Sequence, residues 1–260
     1  MTWAFKRQVI YATIIIAFFL AILFYFLWPY ITKPPSCNDG KQNGVETGVD
    51  CGGSCARACI FEVDQLRVYW ARSFKVTDGR YNAIAYLENQ NKDTAIYKVK
   101  YRFRFADKDN IYIGERRGET YVPPTGKFAV FEPALNIGNG IPVYTTFEFL
   151  EQPTWVKVPR EQLDQLKVFV SDINLYDENI APRLTARITN SSLYLIPEVS
   201  VVAILYDQLG NVINVSNTFI DLLNREQKVD INFTWPEPFK SPVIVKEIIP
   251  MYNVFLTKLK

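Results

Sequence analysis

KVKYRFRF, residues 98–105, alternates without a break between cationic and apolar side chains. In an extended chain successive side chains point to opposite faces. Val99, Tyr101, Phe103 and Phe105 therefore share one face, and Lys98, Lys100, Arg102 and Arg104 the other. VDINFTW, residues 229–235, repeats the pattern with Val229, Ile231, Phe233 and Trp235 on the apolar side. Residues 81–87, 143–149, 184–189 and 199–206 also read as half-buried strands. Turn chemistry separates them at 107–110, 123–126, 138–140 and 208–211. Beyond the first thirty residues nothing sustains a helical period, although residues 161–167 have room for one or two helical turns. Short strands at this spacing predict an all-β body of antiparallel sandwiches.

Two halves echo each other at about one hundred residues. AYLENQN (85–91) corresponds to ARITNSS (186–192), and RFADKDN (104–110) to ILYDQLG (204–210), with Asp107 and Asp207 just before the turn. ETYVPP (119–124) is aligned with NTFIDL (217–222), and VFEP (130–133) with WPEP (235–238). That period is too long for a solenoid and predicts tandem domains.

Residues 9–28 carry no charge in twenty positions, enough for a helix of about 30 Å, the thickness of a bilayer's hydrocarbon core. Trp3 and Trp28–Tyr30 flank the span as aromatic anchors. Lys6 and Arg7 precede it, while only Lys33 lies close behind, so the positive-inside rule places the N-terminus in the cytoplasm. A cleaved signal peptide has a shorter apolar core and a small-residue cleavage site, and the bulky residues 25–30 favour an uncleaved anchor. Lys+Arg number 29 and Asp+Glu 27; setting aside Lys6 and Arg7 leaves 27 of each sign, so the exported part is neutral.

Residues 32–35 (TKPP) make a stiff exit from the membrane. All four cysteines follow in the next segment, Cys37, Cys51, Cys55 and Cys59. An even count in an exported, turn-rich segment too short for a core predicts two disulfides, with three pairings open. Zinc is the rival reading, and no C-x-x-C pair supports it. Asp39, Asn43, Glu46 and Asp50 are the candidate calcium ligands. A twelve-residue loop counted from Asp39 puts Gly44 sixth and a carboxylate last, but Lys41 occupies the third ligand position. The competing reading is turn chemistry by Asp-Gly and Asn-Gly. No other cofactor is expected.

The organisation is thus a cytoplasmic stub (1–7), a transmembrane anchor (8–31), a stapled stalk (32–60) and two β domains (61–155 and 156–260). CNDGKQNGVETGVDCGGSC, residues 37–55, resembles a cysteine-rich motif of exported and surface proteins of bacteria. The resemblance implies an extracytoplasmic spacer in a prokaryotic envelope protein. The pattern N-x-S…V-x-V-x-x-x-L-Y-D-x-x-G at 190–210 resembles the FxLYD-type immunoglobulin-like domains of prokaryotic surface proteins. In the first copy Phe105–Ala106 replaces Leu-Tyr. This implies two tandem immunoglobulin-like β-sandwiches with no catalytic residues to carry over.

The chain contains no histidine. That excludes Ser-His-Asp and Cys-His nucleophile systems and His-based metalloprotease sites. The balanced charge argues against nucleic acid as a partner. Asp107/Asp109 and Asp177/Glu178 fall in turns, where Asp serves the backbone. Phosphate-binding glycine loops and nucleophile elbows are absent from the sequence. Trp155 and Trp235 with Phe239 read as packing residues more than a sugar platform. Sequons at Asn190, Asn214 and Asn232 are read as chance.

One feature invites a ligand: Lys98, Lys100, Arg102 and Arg104 project four positive charges from one face, a candidate site for an anionic polymer, headgroup or partner. Glu115, Glu119 and Glu148 on neighbouring strands are the residues able to neutralise it. The sequence predicts a non-enzymatic membrane protein presenting its domains to a protein or cell-surface polymer. The alternative is a subunit of a membrane-embedded envelope, secretion or pilus-like assembly, for which Ala17–Ala21 supplies one small-xxx-small pair in the span.

Overall fold

In the computed structural model the apolar side of residues 98–105 is buried: Val99, Tyr101, Phe103 and Phe105 are all 5% exposed or less. The structure describes residues 3–31, 34–138 and 140–259. Thr32, Lys33 and position 139, which the stiff exit, the charge count and the 138–140 turn invoke, lie outside them.

An apolar helix, α1 (Trp3–Ile31), comes first, and no part of its apolar stretch is buried. The chain then forms β1 (Arg67–Thr77), β2 (Arg80–Asn89), β3 (Thr94–Ala106), β4 (Tyr112–Val122), β5 (Gly126–Asn136), β6 (Tyr144–Phe149) and β7 (Trp155–Lys157). A short helix, α2 (Arg160–Gln165), falls where one or two turns were expected. Beyond it lie β8 (Val168–Tyr176), β9 (Arg183–Asn190), β10 (Tyr194–Tyr206), β11 (Val212–Leu223), β12 (Lys228–Thr234), β13 (Val245–Met251) and β14 (Lys258–Leu259). β7 straddles the expected boundary at 155/156.

Four antiparallel sheets result. One has the order β1-β2-β5 and the next β4-β3-β6, with β7 continuing along β3. The second half gives β8-β9-β12 and β11-β10-β13, with β14 continuing along β10. Adding seven to each strand number converts the first half into the second.

The side chains repeat with the strands. Asn89 ends β2, is 1% exposed, and donates from Nδ2 to the carbonyls of Thr94 (2.8 Å) and Pro123 (2.7 Å). Asn190 ends β9, is fully buried, and donates to the carbonyls of Tyr194 (2.8 Å), Leu223 (3.3 Å) and Asn224 (3.0 Å). Each Oδ1 accepts the N–H two residues on, from Asn91 or Ser192. Asn190 is a sequon residue, and in the folded chain its amide is inaccessible to a glycosyltransferase. Asp107 Oδ1 accepts from the N–H groups of Asp109 and Ile111, and Asp207 Oδ1 from those of Leu209 and Asn211, all at 2.8–2.9 Å. The left-handed position of each turn is Asn110 (φ 60°) or Gly210 (φ 78°), the residue types that tolerate it.

Two of the expected alignments shift. Ile96 pairs with Val122 and Ile196 with Leu223, so residues 119–124 correspond to 220–225 and not to 217–222. Ala85 pairs with Val130 and Ala186 with Ile231, so VFEP corresponds to INFT (231–234). WPEP lies beyond β12, where its prolines are spared a ladder they could not donate to.

The sheets stack in four layers. In β2, Ala83, Ala85 and Leu87 join Phe103, Phe105 and Phe128 in the first core. Ile84 and Tyr86, on the opposite face, belong to the same apolar cluster as Val202, Ile204, Val215 and Ile249 of the second unit. Val199, Val201, Ala203 and Leu205, which alternate with them along β10, turn the other way to meet Leu184, Ile188 and Phe233. β2 and β10 are thus buried on both faces. At this junction Glu247 accepts hydrogen bonds from two hydroxyls, Tyr86 (2.6 Å) and Tyr206 (2.7 Å), and burial together with this carboxylate pushes both phenols far up.

The two sandwiches lie with corresponding ends together. At one end Asn253 Nδ2 donates to the Tyr97 carbonyl (3.1 Å), and Ala95, Val158 and Val254 form a small core. At the other, Lys75 of β1 pairs with Glu237 (3.4 Å).

Candidate functional site

The cysteine-rich segment marks one end of the body. Its bonds are Cys37–Cys55 and Cys51–Cys59, which selects one of the three pairings. Its last part is docked. Arg57 bridges Val156, the Ala58 N–H donates to the Trp155 carbonyl (3.0 Å), and Lys157 Nζ donates to the Gly53 carbonyl (2.9 Å). Ala58 joins the first core. Glu62 accepts from the Thr47 hydroxyl (2.5 Å), which holds its carboxyl below the ordinary range. The segment expected as a stalk is therefore an extension of the β3–β7 edge from about Gly53 onward.

The calcium candidates occupy the turns before it. Asp50 accepts the N–H groups of Asp39 (2.9 Å) and Gly40 (3.0 Å). Asp39 accepts the Lys41 N–H (3.0 Å) and the Asn43 side-chain amide (2.8 Å), and the latter bond is the main cause of its lowered pKa. Glu46 accepts the Asn43 N–H (3.1 Å). Asn43 Oδ1 is buried without a hydrogen-bond partner among the described residues. These carboxylates accept hydrogen bonds from turn N–H groups and, at Asp39, from the Asn43 amide, which is the turn chemistry that competes with a cation. Glu46 also lies beside the sulfurs of Cys37 and Cys55, which are bonded to each other and offer no thiolate.

The basic strand is β3. Lys98, Lys100 and Arg104 are exposed and Arg102 half-buried, all on the outer face of the β4-β3-β6 sheet. Lys98 pairs with Glu119. Arg102 lies between Glu148 (2.6 Å) and Glu115 (3.4 Å), and Arg104 reaches the same two at 3.9 and 3.8 Å. Arg117, opposite Arg102 on β4, also binds Glu115 (2.7 Å). The Glu148 carboxyl is held low chiefly by its hydrogen bond from Arg102. Lys100 has no ion pair among the described residues. The face is a ladder of alternating charge and not a uniform positive strip.

Sequence reasoning missed the far end of this face. Ala106 closes β3 in register with Tyr112 on one side and Tyr144 on the other. Both tyrosines are exposed, as are Ile111, Ile141 and Val143 around them. At the same end of the second unit Leu209 is 86% exposed, with Ile244 and Val245 also open to solvent. Ile111 and Tyr112 directly after the Asp107 turn and Leu209 inside the Asp207 turn were the available signal. Trp155 and Trp235, in contrast, are buried. Trp235 donates from Nε1 to the Val215 carbonyl (3.2 Å), which leaves no sugar platform.

No protein-family model matches the chain, and no curated protein matches it significantly. Among solved structures it is similar to red sea bream transglutaminase, at 10% identity and a TM-score of 0.24, over 74% of this chain and 30% of that one. It is similar to a Bacteroides uniformis β-glucuronidase at 11% identity and 0.22, over 64% and 23% respectively. The calcium-binding domain CBD12 of CALX1.1 gives 10% identity and 0.21, over 65% and 75%. The chain spans less than a third of the first two proteins. Likenesses at this level assign neither a fold family nor a function.

Proposed function

We propose that this chain is a non-enzymatic envelope protein, anchored by α1, that holds a duplicated pair of immunoglobulin-like sandwiches outside the membrane for contact with a protein or cell-surface polymer. The observation that carries the reading is the combination of an unburied apolar helix with two disulfides a few residues behind it. Paired cysteines persist in oxidising compartments, and the segment that holds them begins where the helix ends. The lysine and arginine before the helix orient it with the N-terminus inside. The end remote from the disulfides, with Tyr112, Tyr144 and Leu209 exposed, is the contact surface that best fits such a presenter, because large exposed apolar residues mark interaction sites.

The test is fractionation of cells expressing the full chain. Alkaline carbonate should leave the protein in the membrane pellet, external protease should remove the body, and N-terminal sequencing should return the initiating residues. A soluble chain beginning beyond residue 31 would sink the anchor reading. For the basic strand, simultaneous replacement of Lys98, Lys100, Arg102 and Arg104 by Gln should abolish retention on an anionic polymer if that face binds one, and unchanged retention rejects it.

A further inference from the structure

A cavity of about 620 Å³ opens between the two sandwiches at the disulfide end, a size typical of small-molecule sites. One wall is the first unit, with Lys92, Pro123 and Lys127. The other is the second unit with Met251 and Tyr252, and α2 closes the side with Arg160 and Leu163. Three cations face one carboxylate, Asp164. Lys92 and Lys127 have no ion pair among the described residues. Lys127 Nζ rests 5.7 Å from the Tyr86 ring and 5.8 Å from that of Tyr69. Among the described residues Arg160 has only a long ionic contact, to Asp93 at 3.9 Å, with its side chain 77% exposed. The remaining lining is largely proline, leucine, methionine and valine. A cationic rim over apolar walls suits an amphiphilic anion, because Arg and Lys bind phosphate oxygens while the walls take the carbon skeleton.

The position of the cavity selects the source of that anion. The Val158 N–H donates to the Asp93 carbonyl (2.7 Å), and Lys157 binds Gly53, so the rim adjoins the disulfide segment. Five residues lie between Ile31 and Cys37, six Cα–Cα steps with a reach of at most about 22 Å. We propose that this cleft binds the phosphate-bearing headgroup of an anionic lipid. Bound there, the headgroup ties the underside of the body to the bilayer. The proposal rests on the anchor reading above. The shared chemistry is a phosphate oxyanion, which free phosphate also supplies.

The experiment is calorimetric titration of the full chain in neutral maltoside detergent, so its outcome is independent of how the chain is inserted in a cell. Dihexanoyl-phosphatidylglycerol should bind saturably, and dihexanoyl-phosphatidylcholine at least tenfold more weakly. The Lys92→Gln/Lys127→Gln/Arg160→Gln variant should lose at least tenfold for phosphatidylglycerol. These side chains are exposed, and an unchanged thermal midpoint checks that the variant is folded. A variant carrying only Lys108→Gln, at the opposite end, should bind as the parent does. Absence of saturable phosphatidylglycerol binding, or equal binding by the triple variant, overturns the site. Inorganic phosphate binding as tightly as the lipid overturns the lipid as its occupant.

Discussion

Asn89 and Asn190 each tie three backbone segments together through one amide, and a hydrophobic replacement leaves their buried carbonyl partners orphaned. Asn190→Ala should lower stability by about 3 kcal/mol in equilibrium urea unfolding, with Asn89→Ala close behind. A loss under about 1 kcal/mol for either would show that water replaces the amide. Tyr121 has the opposite defect, a buried hydroxyl without a partner among the described residues. Burial pushes its phenol well up. Tyr121→Phe should therefore raise stability by about 1 kcal/mol, and a fall of that size would reveal a hidden bond. Asp207 is held below its ordinary carboxylate value, first by the Asn211 side-chain bond and then by backbone donors. A carboxyl depressed in the folded state stabilises it above the unfolded pKa near 4 and ceases to do so as pH falls through the folded value. Asp207→Asn should shrink the drop in urea midpoint between pH 5 and pH 2.5, and an undiminished drop rejects the assignment.

At the scale of elements, legibility followed one-sided burial. β3, β9 and β12 have one buried and one open face, so their alternation is visible in residues such as Phe103 and Arg104. β2 and β10 were expected as half-buried strands, and the burial of Ile84 and Val202 on the second face is not encoded in any period. β4, β5 and β11 went unread because no clean alternation of apolar and polar residues marks them, although β4 and β11 pair with the strands just before them. Gly114 and Gly118 interrupt β4, and Pro133 sits inside β5. The correspondence between the halves was legible where side chains bond the backbone, at Asn89/Asn190 and Asp107/Asp207, and misaligned by three and by four residues where only strand register relates them. In the site, the cysteines and the cation ladder were legible. The cleft was not, because Met251 and Tyr252 come to face Lys92 and Lys127 only once the two sandwiches stack. Phe103→Ala should cost about 3–5 kcal/mol. Arg104→Gln, on the same strand but exposed in the surface ladder, should leave the urea midpoint nearly unmoved. A comparable loss at both positions would mean the outer face is more tightly coupled to the core than its solvent exposure implies.

For the whole molecule, the shared cluster around Ile84, Val202 and Ile204 makes the two sandwiches one body rather than beads on a thread. Calorimetry of the full chain should show one cooperative transition for the sheets. Ile204→Asp, which buries an unpaired charge in the junction, should lower its midpoint sharply or split it in two. Two resolved transitions in the parent would show the sandwiches melting independently.

The Cys37–Cys55 bond has a mechanical consequence. When the body is pulled away from α1, tension entering at Cys37 crosses directly to Cys55, whose Cα lies 5.7 Å away, and residues 38–50 carry no load. About 60 Å of slack chain is thereby removed from the tether. From Cys55 the force passes within four residues to the Ala58–Trp155 contact and the edge of β3. Reduction should restore that slack as an extension at low force, turning a short rigid mount into a spring.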